Sequence, residues 1–342
     1  MKKLTVLLVL AMAAVWSGCG DSATQPVVNY VARGSSDSWA PHIFKFNIIS
    51  KASTAVAIPL PTTAGYVAVD AKADDATYCD NGGTVADIFT MGTDGTPHQL
   101  TTDADACESS FSPDAKTIAY VDFAQGVNSE ISTMNADGTN QATLYFDITG
   151  STYAWEPQFS PEGKSVVFYI EVVGGAAQSH KPQMHSGAPA PKWPSANRGA
   201  KKAGRVRPRP NGFAPPTQSG WYTMALTDLA PTLVYATTDF WGPASFSFDG
   251  KKLLMSVYDG TEWNIASINL DGTSLTPLTT GTTTEAFGTV AVNGLILYNI
   301  YNSTNSSADI YVMQDTGASQ TLLSTADVNT WESLNDTFYE SF

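Results

Sequence analysis

Ile88-Phe-Thr-Met91, followed by Asp94-Gly95-Thr96, is the clearest of the motifs that recur along this 342-residue chain. It returns as Ile131-Ser-Thr-Met134 with Asp137-Gly138-Thr139, and as Ile265-Ala-Ser-Ile268 with Asp271-Gly272-Thr273. Weaker copies begin at Ile43, Trp221 and Ile310, so consecutive copies start 45, 43, 90, 44 and 45 residues apart. The long interval is one period plus an insertion. A period of about 40–45 residues is that of a four-stranded propeller blade.

A second repeated motif lies upstream of the first in each unit. Its copies are Phe111-Ser-Pro-Asp-Ala-Lys116, Phe159-Ser-Pro-Glu-Gly-Lys164, Phe246-Ser-Phe-Asp-Gly-Lys251 and the weaker Val290-Ala-Val-Asn-Gly294. Each copy precedes an apolar run. Because proline presets φ and glycine accepts positive φ, the motif predicts a tight turn between two strands. The Asp-Gly-Thr copies predict a second hairpin, between the third and fourth strands of the unit.

Six such units fit the chain if the first is split between the two ends. A second-strand pattern begins at Val27, and Trp331-Glu332 near the C-terminus matches Trp155-Glu156 at the start of a first strand. We therefore predict an all-β fold over residues 27–342. It is a six-bladed β-propeller of four-stranded blades, in which a C-terminal strand joins the N-terminal blade and closes the ring.

The repeated units resemble those of the TolB-like β-propeller family, which is related to the WD repeats. The resemblance covers almost all of the chain after residue 26 and is most specific in the Phe-Ser-Pro-Asp/Glu motifs. It extends to the repeat family and not to TolB itself, which carries an additional N-terminal α/β domain and is not lipidated. In this family a partner lipoprotein docks over a channel mouth. Other TolB-like propellers are lyases acting on acidic sugars, or precede peptidase domains.

The N-terminus has the pattern of an exported lipoprotein. Two lysines precede an apolar run, Leu4–Trp16, that is shorter than the roughly 20 residues of a membrane span. The four residues from Trp16 to Cys19 resemble the bacterial lipobox, although leucine is usual at the position of Trp16. We predict a signal peptide over 1–18, diacylation of Cys19 and a lipid-anchored tether over 19–26. An ordinary signal peptide cut nearby is the alternative.

Export places the mature protein outside the cytoplasm. Gly20 stands where an Asp retains well-studied Gram-negative lipoproteins at the inner membrane, so the resemblance favours anchoring in the outer membrane. Disulfides form and persist outside the cytoplasm. Cys79 and Cys107 fall in adjacent blades at the same face of the predicted disc. Both a disulfide and a buried pair of thiols are consistent with that placement.

Residues 174–219 interrupt the repeat between the second and third strands of the fourth blade. The segment contains no Asp or Glu, eight of the chain's 18 Lys and Arg residues, and eight of its 19 prolines. Such a composition cannot bury enough apolar surface to offset the entropy lost on ordering. We predict a disordered basic loop. It is either a tolerated surface insertion or an electrostatic arm for an anionic partner such as lipid head groups, acidic polysaccharide or nucleic acid.

One face of the predicted disc collects carboxylates and aromatic rings around the mouth of the central channel. Because strands alternate in direction, the starts of first strands and the ends of second strands share this face. The candidate binding residues are Tyr66, Glu108, Trp155, Glu156, Trp241, Glu285, Phe287, Trp331 and Glu332, joined by Asp80, Asp122, Glu171 and Asp259. We expect a basic peptide, a sugar or a metal ion there. Two alternatives remain: the basic loop screens the mouth, or these residues only hold the blades together.

Charge and motifs narrow the function. The net charge of −14 argues against nucleic acid as the partner over most of the surface and favours cationic partners. We find no nucleophile elbow, zinc-peptidase motif or phosphate-binding loop, and the four histidines lack zinc spacing. We therefore predict no catalytic residues, no metal ligands and no cofactor. The favoured function is a cell-envelope scaffold that binds a protein or glycan. The alternative is a lyase- or hydrolase-like envelope enzyme acting on a polysaccharide or peptide at the channel mouth.

Overall fold

The repeated motifs become strands and hairpins in a computed structural model of the chain. The structure describes residues 27–34, 40–70, 74–80, 86–102, 106–123, 129–147, 149–173, 215–239, 242–280, 285–302, 307–324 and 330–333. These residues form 24 strands and, over the same ranges, no helix. The predicted all-β class is therefore confirmed.

The first three blades use the N-terminal strands. Blade one holds β1 (Val27–Gly34), β2 (His42–Asn47) and β3 (Ala52–Val56). Blade two holds β4 (Ala64–Val69), β5 (Asp75–Asp80), β6 (Asp87–Gly92) and β7 (Pro97–Gln99). Blade three holds β8 (Ala106–Phe111), β9 (Thr117–Asp122), β10 (Glu130–Asn135) and β11 (Ala142–Tyr145). Within each blade, strands that follow one another in the chain pair with each other.

The remaining blades repeat this order. Blade four holds β12 (Thr152–Phe159), β13 (Ser165–Val172), β14 (Gly220–Ala225) and β15 (Thr232–Ala236). Blade five holds β16 (Ser245–Phe246), β17 (Lys252–Tyr258), β18 (Trp263–Asn269) and β19 (Thr276–Pro277). Blade six holds β20 (Glu285–Val292), β21 (Leu295–Asn302), β22 (Ser307–Gln314) and β23 (Thr321–Ser324). The last strand, β24 (Thr330–Ser333), belongs to blade one.

Strand β24 closes the ring, as predicted. It pairs antiparallel with β1, from Val31 opposite Ser333 to Gly34 opposite Thr330, and so becomes the innermost strand of blade one. A single parallel contact between Ala308 and Trp331 also links it to β22 of blade six. The first and sixth blades consequently share one eight-stranded sheet. Closure by a terminal strand leaves no open seam in the ring.

Within the described residues, each junction between neighbouring blades contains a large apolar cluster. A smaller cluster of Cys79, Ala86 and Cys107 lies between blades two and three. Between blades three and four, for example, buried Val121 and Ile131 pack with Ala154 and Phe168. The cluster between blades six and one joins Leu297 to Tyr30, across the closure. A blade is one sheet thick, so it buries apolar side chains on both faces only against its neighbours. Folding of each blade therefore depends on the blade beside it.

The two repeated motifs form the turns that the sequence predicts. In the Asp-Gly-Thr turns, the Asp side chain accepts a hydrogen bond from the Thr backbone N–H, as at Asp94 and Thr96 (3.0 Å). In the upstream motif, Ser112 Oγ accepts from the backbone N–H of Thr117 at 2.9 Å. Its hydroxyl donates to Asp114 at 2.7 Å. The predictions of both hairpins are confirmed.

The ring has two unlike faces. We call the turn face the one that carries both repeated turns, between first and second strands and between third and fourth strands. We call the mouth face the opposite one, where second strands end, third strands begin and each blade connects to the next. The basic insertion leaves β13 and returns to β14 at the mouth face. Residues 174–214 of the insertion lie outside the described residues.

Candidate functional site

Strand register brings the starts of first strands and the ends of second strands together at the mouth face. Ala64 lies opposite Asp80 in blade two, and Ala106 lies opposite Asp122 in blade three. In blade four, Glu171 lies opposite Tyr153. Both groups of candidate residues therefore share the face that the sequence assigns to them.

The innermost strands are bulged where the candidate residues lie. The pairing register shifts between Gly65 and Ala68, between Cys107 and Ser110, and between Trp155 and Gln158. At these bulges Tyr66, Glu108 and Glu156 have φ values of 49°, 49° and 53°. Positive φ is uncommon for residues other than glycine, and bulges redirect side chains next to functional sites. The bulge thus gives one candidate residue in each of three successive blades an unusual orientation at the channel.

Glu108 joins the third blade to the fourth. Its side chain is 6% exposed, and its Oε2 accepts a 2.8 Å hydrogen bond from the backbone N–H of Glu156 in the next blade. Burial raises the pKa of Glu108 well above its usual range. The Glu156 carboxylate raises this pKa further, while the hydrogen bond from the Glu156 N–H lowers it. This contact is the blade-to-blade role that the sequence left open for these glutamates.

The aromatic candidates lie nearer the surface than Glu108 does. Half-buried Trp155 stacks on Tyr153, with ring centroids 5.8 Å apart and an interplanar angle of 14°. Its ring also lies 5.6 Å from that of Phe123 in the preceding blade. Half-buried Tyr66 packs against the cluster formed by Ala86 and the cysteines. Blades two to four therefore present aromatic side chains at the mouth.

Four further candidate residues belong to the innermost strands of blades six and one. The backbone places Glu285 and Phe287 at the start of β20, and Trp331 and Glu332 in β24, so all four belong to innermost strands. Trp241 lies outside the described residues, as do Cys19 and the tether. Within the part of the chain that the structure describes, no three or more His, Cys, Asp and Glu side chains are grouped as metal ligands would be.

Cys79 of β5 and Cys107 of β8 form a disulfide between blades two and three. Their Cα atoms are 5.2 Å apart, and 28 residues separate them in the chain. Both side chains are buried, with Cys79 6% and Cys107 2% exposed. The bridge fixes the mouth ends of two neighbouring blades beside Glu108.

Charges are distributed unequally between the two faces. The carboxylate residues that the structure describes at the mouth face are Asp80, Asp87, Glu108, Asp122, Glu130, Asp147, Glu156, Glu171, Asp239, Asp259, Glu262, Glu285, Asp309 and Glu332. Of the described Lys and Arg residues, only Arg33 belongs to this face. Five lysines lie in or beside the turns of the opposite face: Lys51, Lys116, Lys164, Lys251 and Lys252. By position, the mouth face therefore contains more carboxylate residues and fewer cationic residues than the turn face. Seven of its carboxylate residues, among them Glu108 and Asp122, are buried.

The half of the channel beyond the bulges contains a cavity that the sequence did not predict. It has a volume of about 120 Å³, and its lining includes Ser109, Ser110 and Gln158 of the innermost strands, together with Asn29 of β1. The lining is uncharged, with hydroxyl, amide and apolar groups. Ser109, Ser110 and Gln158 closely follow the mouth glutamates Glu108 and Glu156 in the sequence. Alignment of the repeats at these glutamates is the signal by which this part of the cavity could have been located.

Within the described residues, no helix has the length and apolar character needed to cross a bilayer. No protein-family model matches the sequence, and no curated protein matches it significantly. Solved structures do resemble it. TolB from Acinetobacter baumannii is 14% identical, with a TM-score of 0.58 over 90% of this chain and 66% of that one.

Two further structures have the same kind of ring. A putative TolB from Agrobacterium tumefaciens is 11% identical, with a TM-score of 0.59 over 90% of this chain and 97% of that one. A puromycin-hydrolyzing peptidase from Mycobacterium tuberculosis is 11% identical, with a TM-score of 0.50 over 84% of this chain and 42% of that one. At these identities the likeness is one of fold, and function resides in the sites that a fold carries.

Proposed function

This chain has the propeller fold seen in the TolB structures, and on that premise we propose that it is an exported, lipid-anchored scaffold of the bacterial cell envelope. Its mouth face binds a cationic segment of an envelope protein. The single observation that supports this partner is the scarcity of cationic residues at the mouth face, where one arginine accompanies fourteen described carboxylate residues, seven of them buried.

The physical reason is electrostatic complementarity. A concave surface lined by charges of one sign attracts the opposite sign and raises the association rate of a charged partner. Half-buried aromatic rings such as Trp155 add apolar contact area beside the carboxylates. A lysine- or arginine-rich peptide supplies both the charge and the long alkyl chains that pack on such rings.

The anchor is the second part of the proposal. It is supported by the lysines, the apolar run and the cysteine at the N-terminus, which together have the order of a lipoprotein signal. Two acyl chains suffice for stable membrane attachment, whereas a single chain binds reversibly. A diacylated Cys19 would keep the propeller at the membrane while its mouth face binds the partner.

Affinity capture from envelope extract tests the partner. The bait is the mature chain from residue 20, compared with a variant carrying Asp80→Asn, Glu171→Gln and Asp239→Asn at the mouth face. These carboxylates are half-buried or exposed, so their substitution leaves the blade-joining Glu108 intact. The matched control carries Asp228→Asn, Asp315→Asn and Glu162→Gln, which make the same change of charge at exposed sites of the turn face.

We expect a basic envelope protein to be captured by the parent and by the turn-face control, and to be lost from the mouth variant. Capture should also weaken as salt is raised, because exposed charges are screened. If the two variants behave alike, or the captured partner is a glycan, the proposed cationic protein partner is wrong. The anchor is tested separately, by the mass of the N-terminal peptide that contains Cys19 from cells producing the full chain.

A further inference from the structure

One position of the repeat carries polar side chains in four successive blades. It is the residue directly before each copy of the upstream motif, and in blades three to six it is Ser110, Gln158, Ser245 and Thr289. In blades five and six the two hydroxyls bond to each other, with Ser245 Oγ and Thr289 Oγ1 2.7 Å apart. In blades three and four, neither the Ser110 hydroxyl nor the Gln158 amide has a hydrogen-bonding partner among the described residues. The same position is therefore satisfied within one pair of blades and left open in the other.

The two side chains without a partner line the channel cavity of about 120 Å³. Ser110 and Gln158 occupy equivalent places there, because each is the first residue paired after the bulge of its strand. Ser110 is 5% exposed, and its hydroxyl oxygen is shielded from the outer solvent. A buried hydroxyl without a partner costs free energy, so it calls for a partner from outside the chain.

The other polar groups of the lining are acceptors. Asn29 donates through Nδ2 to a backbone oxygen of blade two at 2.8 Å, which leaves its Oδ1 as an acceptor. Ser109 donates its hydroxyl proton to Thr77 Oγ1 at 2.9 Å and keeps its own lone pairs. Ser110 and Gln158 can each donate and accept. A ligand at this cavity therefore needs several groups that both donate and accept hydrogen bonds.

The rest of the lining limits the charge and size of the ligand. Among the described residues it includes no charged side chain, and Val31, Val69 and Phe111 contribute apolar surface. A charge buried there would lack a counter-charge, which costs far more than burying a neutral group that is hydrogen-bonded. An apolar cavity of about 150 Å³ holds benzene, so this slightly smaller one holds about six non-hydrogen atoms, or the end of a longer molecule.

We propose that this cavity binds a neutral polyhydroxylated molecule, either a small polyol or the terminal sugar residue of a glycan. Its hydroxyls bond Ser110 and Gln158, and its C–H groups pack on the apolar part of the lining. The site goes beyond the proposed function. It lies past the bulges, has an uncharged lining, and depends neither on a cationic partner nor on the anchor at Cys19.

Saturation-transfer difference NMR on the chain from residue 20 tests the site, because this measurement detects weak binding of small molecules. The neutral probes are erythritol, as the polyol, and the methyl glycosides of glucose and N-acetylglucosamine, as terminal sugar residues. Glucuronate is the charged counterpart, since it has the ring of glucose with an added carboxylate. Titration of each probe gives its Kd.

Ser110→Ala is the test variant, and Ser256→Ala is its matched control. The Ser256 hydroxyl is likewise buried without a partner among the described residues, at 4% exposure of the residue, but it does not line the cavity. Because neither hydroxyl bonds another described group, its removal leaves no such group unsatisfied, and both variants should fold.

We expect the parent and Ser256→Ala to bind at least one neutral probe with the same Kd, and Ser110→Ala to bind it about 3- to 10-fold more weakly. Binding of erythritol alone would identify a polyol site, and binding of a glycoside would identify a site for a terminal sugar. The proposal is overturned if no neutral probe binds, if the two variants bind alike, or if glucuronate binds as tightly as the glucoside. It is also overturned if binding appears only in a protein ending at Ser333, because residues 334–342 would then compete with any ligand for the cavity.

Discussion

At the scale of single residues, Glu108 shows how an apparent site residue serves the fold. The sequence placed it among the binding candidates because of its position at the channel mouth. Its buried carboxylate instead accepts the backbone N–H of Glu156, 48 residues later in the chain. A buried N–H without an acceptor is costly, so this carboxylate stabilises the junction of blades three and four.

Removing that acceptor should destabilise the propeller. Glu108→Ala leaves the buried N–H of Glu156 without its carboxylate partner, and we expect the free energy of unfolding to fall by about 1–3 kcal/mol. Glu108→Gln retains a carbonyl oxygen at the same position and should lose less. Urea unfolding of the two variants and the parent measures the difference. Equal losses in Ala and Gln variants would show that the hydrogen bond does not matter.

The raised pKa of Glu108 makes a prediction about pH. Burial and the Glu156 carboxylate raise the pKa of Glu108 above that of an unfolded glutamate, which is about 4.3. The folded state therefore binds this proton more tightly than the unfolded state does. The stability that the proton contributes is fully present below the unfolded pKa and is lost as pH rises through the folded pKa.

We accordingly expect the parent to lose stability relative to Glu108→Gln as pH is raised from about 4, since Gln cannot ionise. Urea midpoints for both proteins across the acid-to-neutral range measure this difference, and comparing the two removes the contribution of other titrating groups. If the difference in urea midpoint between the two proteins stays constant with pH, or if the parent gains stability relative to Glu108→Gln as pH rises, the raised pKa assigned to Glu108 is contradicted.

At the scale of elements, the glycines of the Asp-Gly-Thr-type turns fit one blade against the previous one. Gly317 has a φ of 83°, and a Cβ built on it would lie 2.6 Å from the backbone oxygen of Leu278 in blade five. Gly272 similarly approaches the backbone oxygen of Val234 in blade four at 3.1 Å. The repeated glycine thus meets two requirements at once, positive φ and close approach between blades.

Gly317→Ala should therefore be more damaging than the same change in a turn with open space. Gly294 is the matched control, because its φ of 77° is similar and nothing lies within 4 Å of the position that a Cβ would take there. Both alanines must adopt a left-handed backbone conformation, which lowers the free energy of unfolding in each variant. Only the alanine at position 317 must also displace the neighbouring blade, and we expect this to lower the free energy of unfolding by about 1–3 kcal/mol more. Thermal or urea unfolding compares them. Equal destabilisation would mean that backbone conformation alone explains the glycine.

At the scale of the whole molecule, stability depends on how blades are joined. The apolar clusters of the described residues all lie between blades, and β24 closes the ring from the far end of the chain. The disulfide adds one covalent link, between blades two and three. All of these connections bring together residues that are distant in sequence. The apolar clusters and the strand pairing act only in the folded state, whereas the disulfide also restricts the unfolded chain.

Loss of the disulfide should be measurable as loss of stability. For a loop of 28 residues, the chain-entropy treatment gives about 3–4 kcal/mol. We expect a reductant to lower the unfolding midpoint of the parent and to leave that of a Cys79→Ala/Cys107→Ala protein unchanged. The double variant should itself unfold earlier than the oxidised parent. If reductant does not change the unfolding midpoint of the parent, the disulfide does not stabilise the propeller.

The repeat, the number of blades, the turns and the closure could all be predicted from the sequence. These follow from local chemistry, because Asp94-Gly95-Thr96 and Phe111-Ser-Pro form the same turn wherever the period returns them. Tertiary structure alone decided that Glu108 is buried against the next blade and that Cys79 meets Cys107. It also decided which of the predicted mouth-face carboxylate residues are buried, such as Asp122, and which stay accessible, such as Asp239. These properties arise from contacts across tens of residues and from which surfaces remain uncovered, and the spacing of residues in a single strand does not specify either.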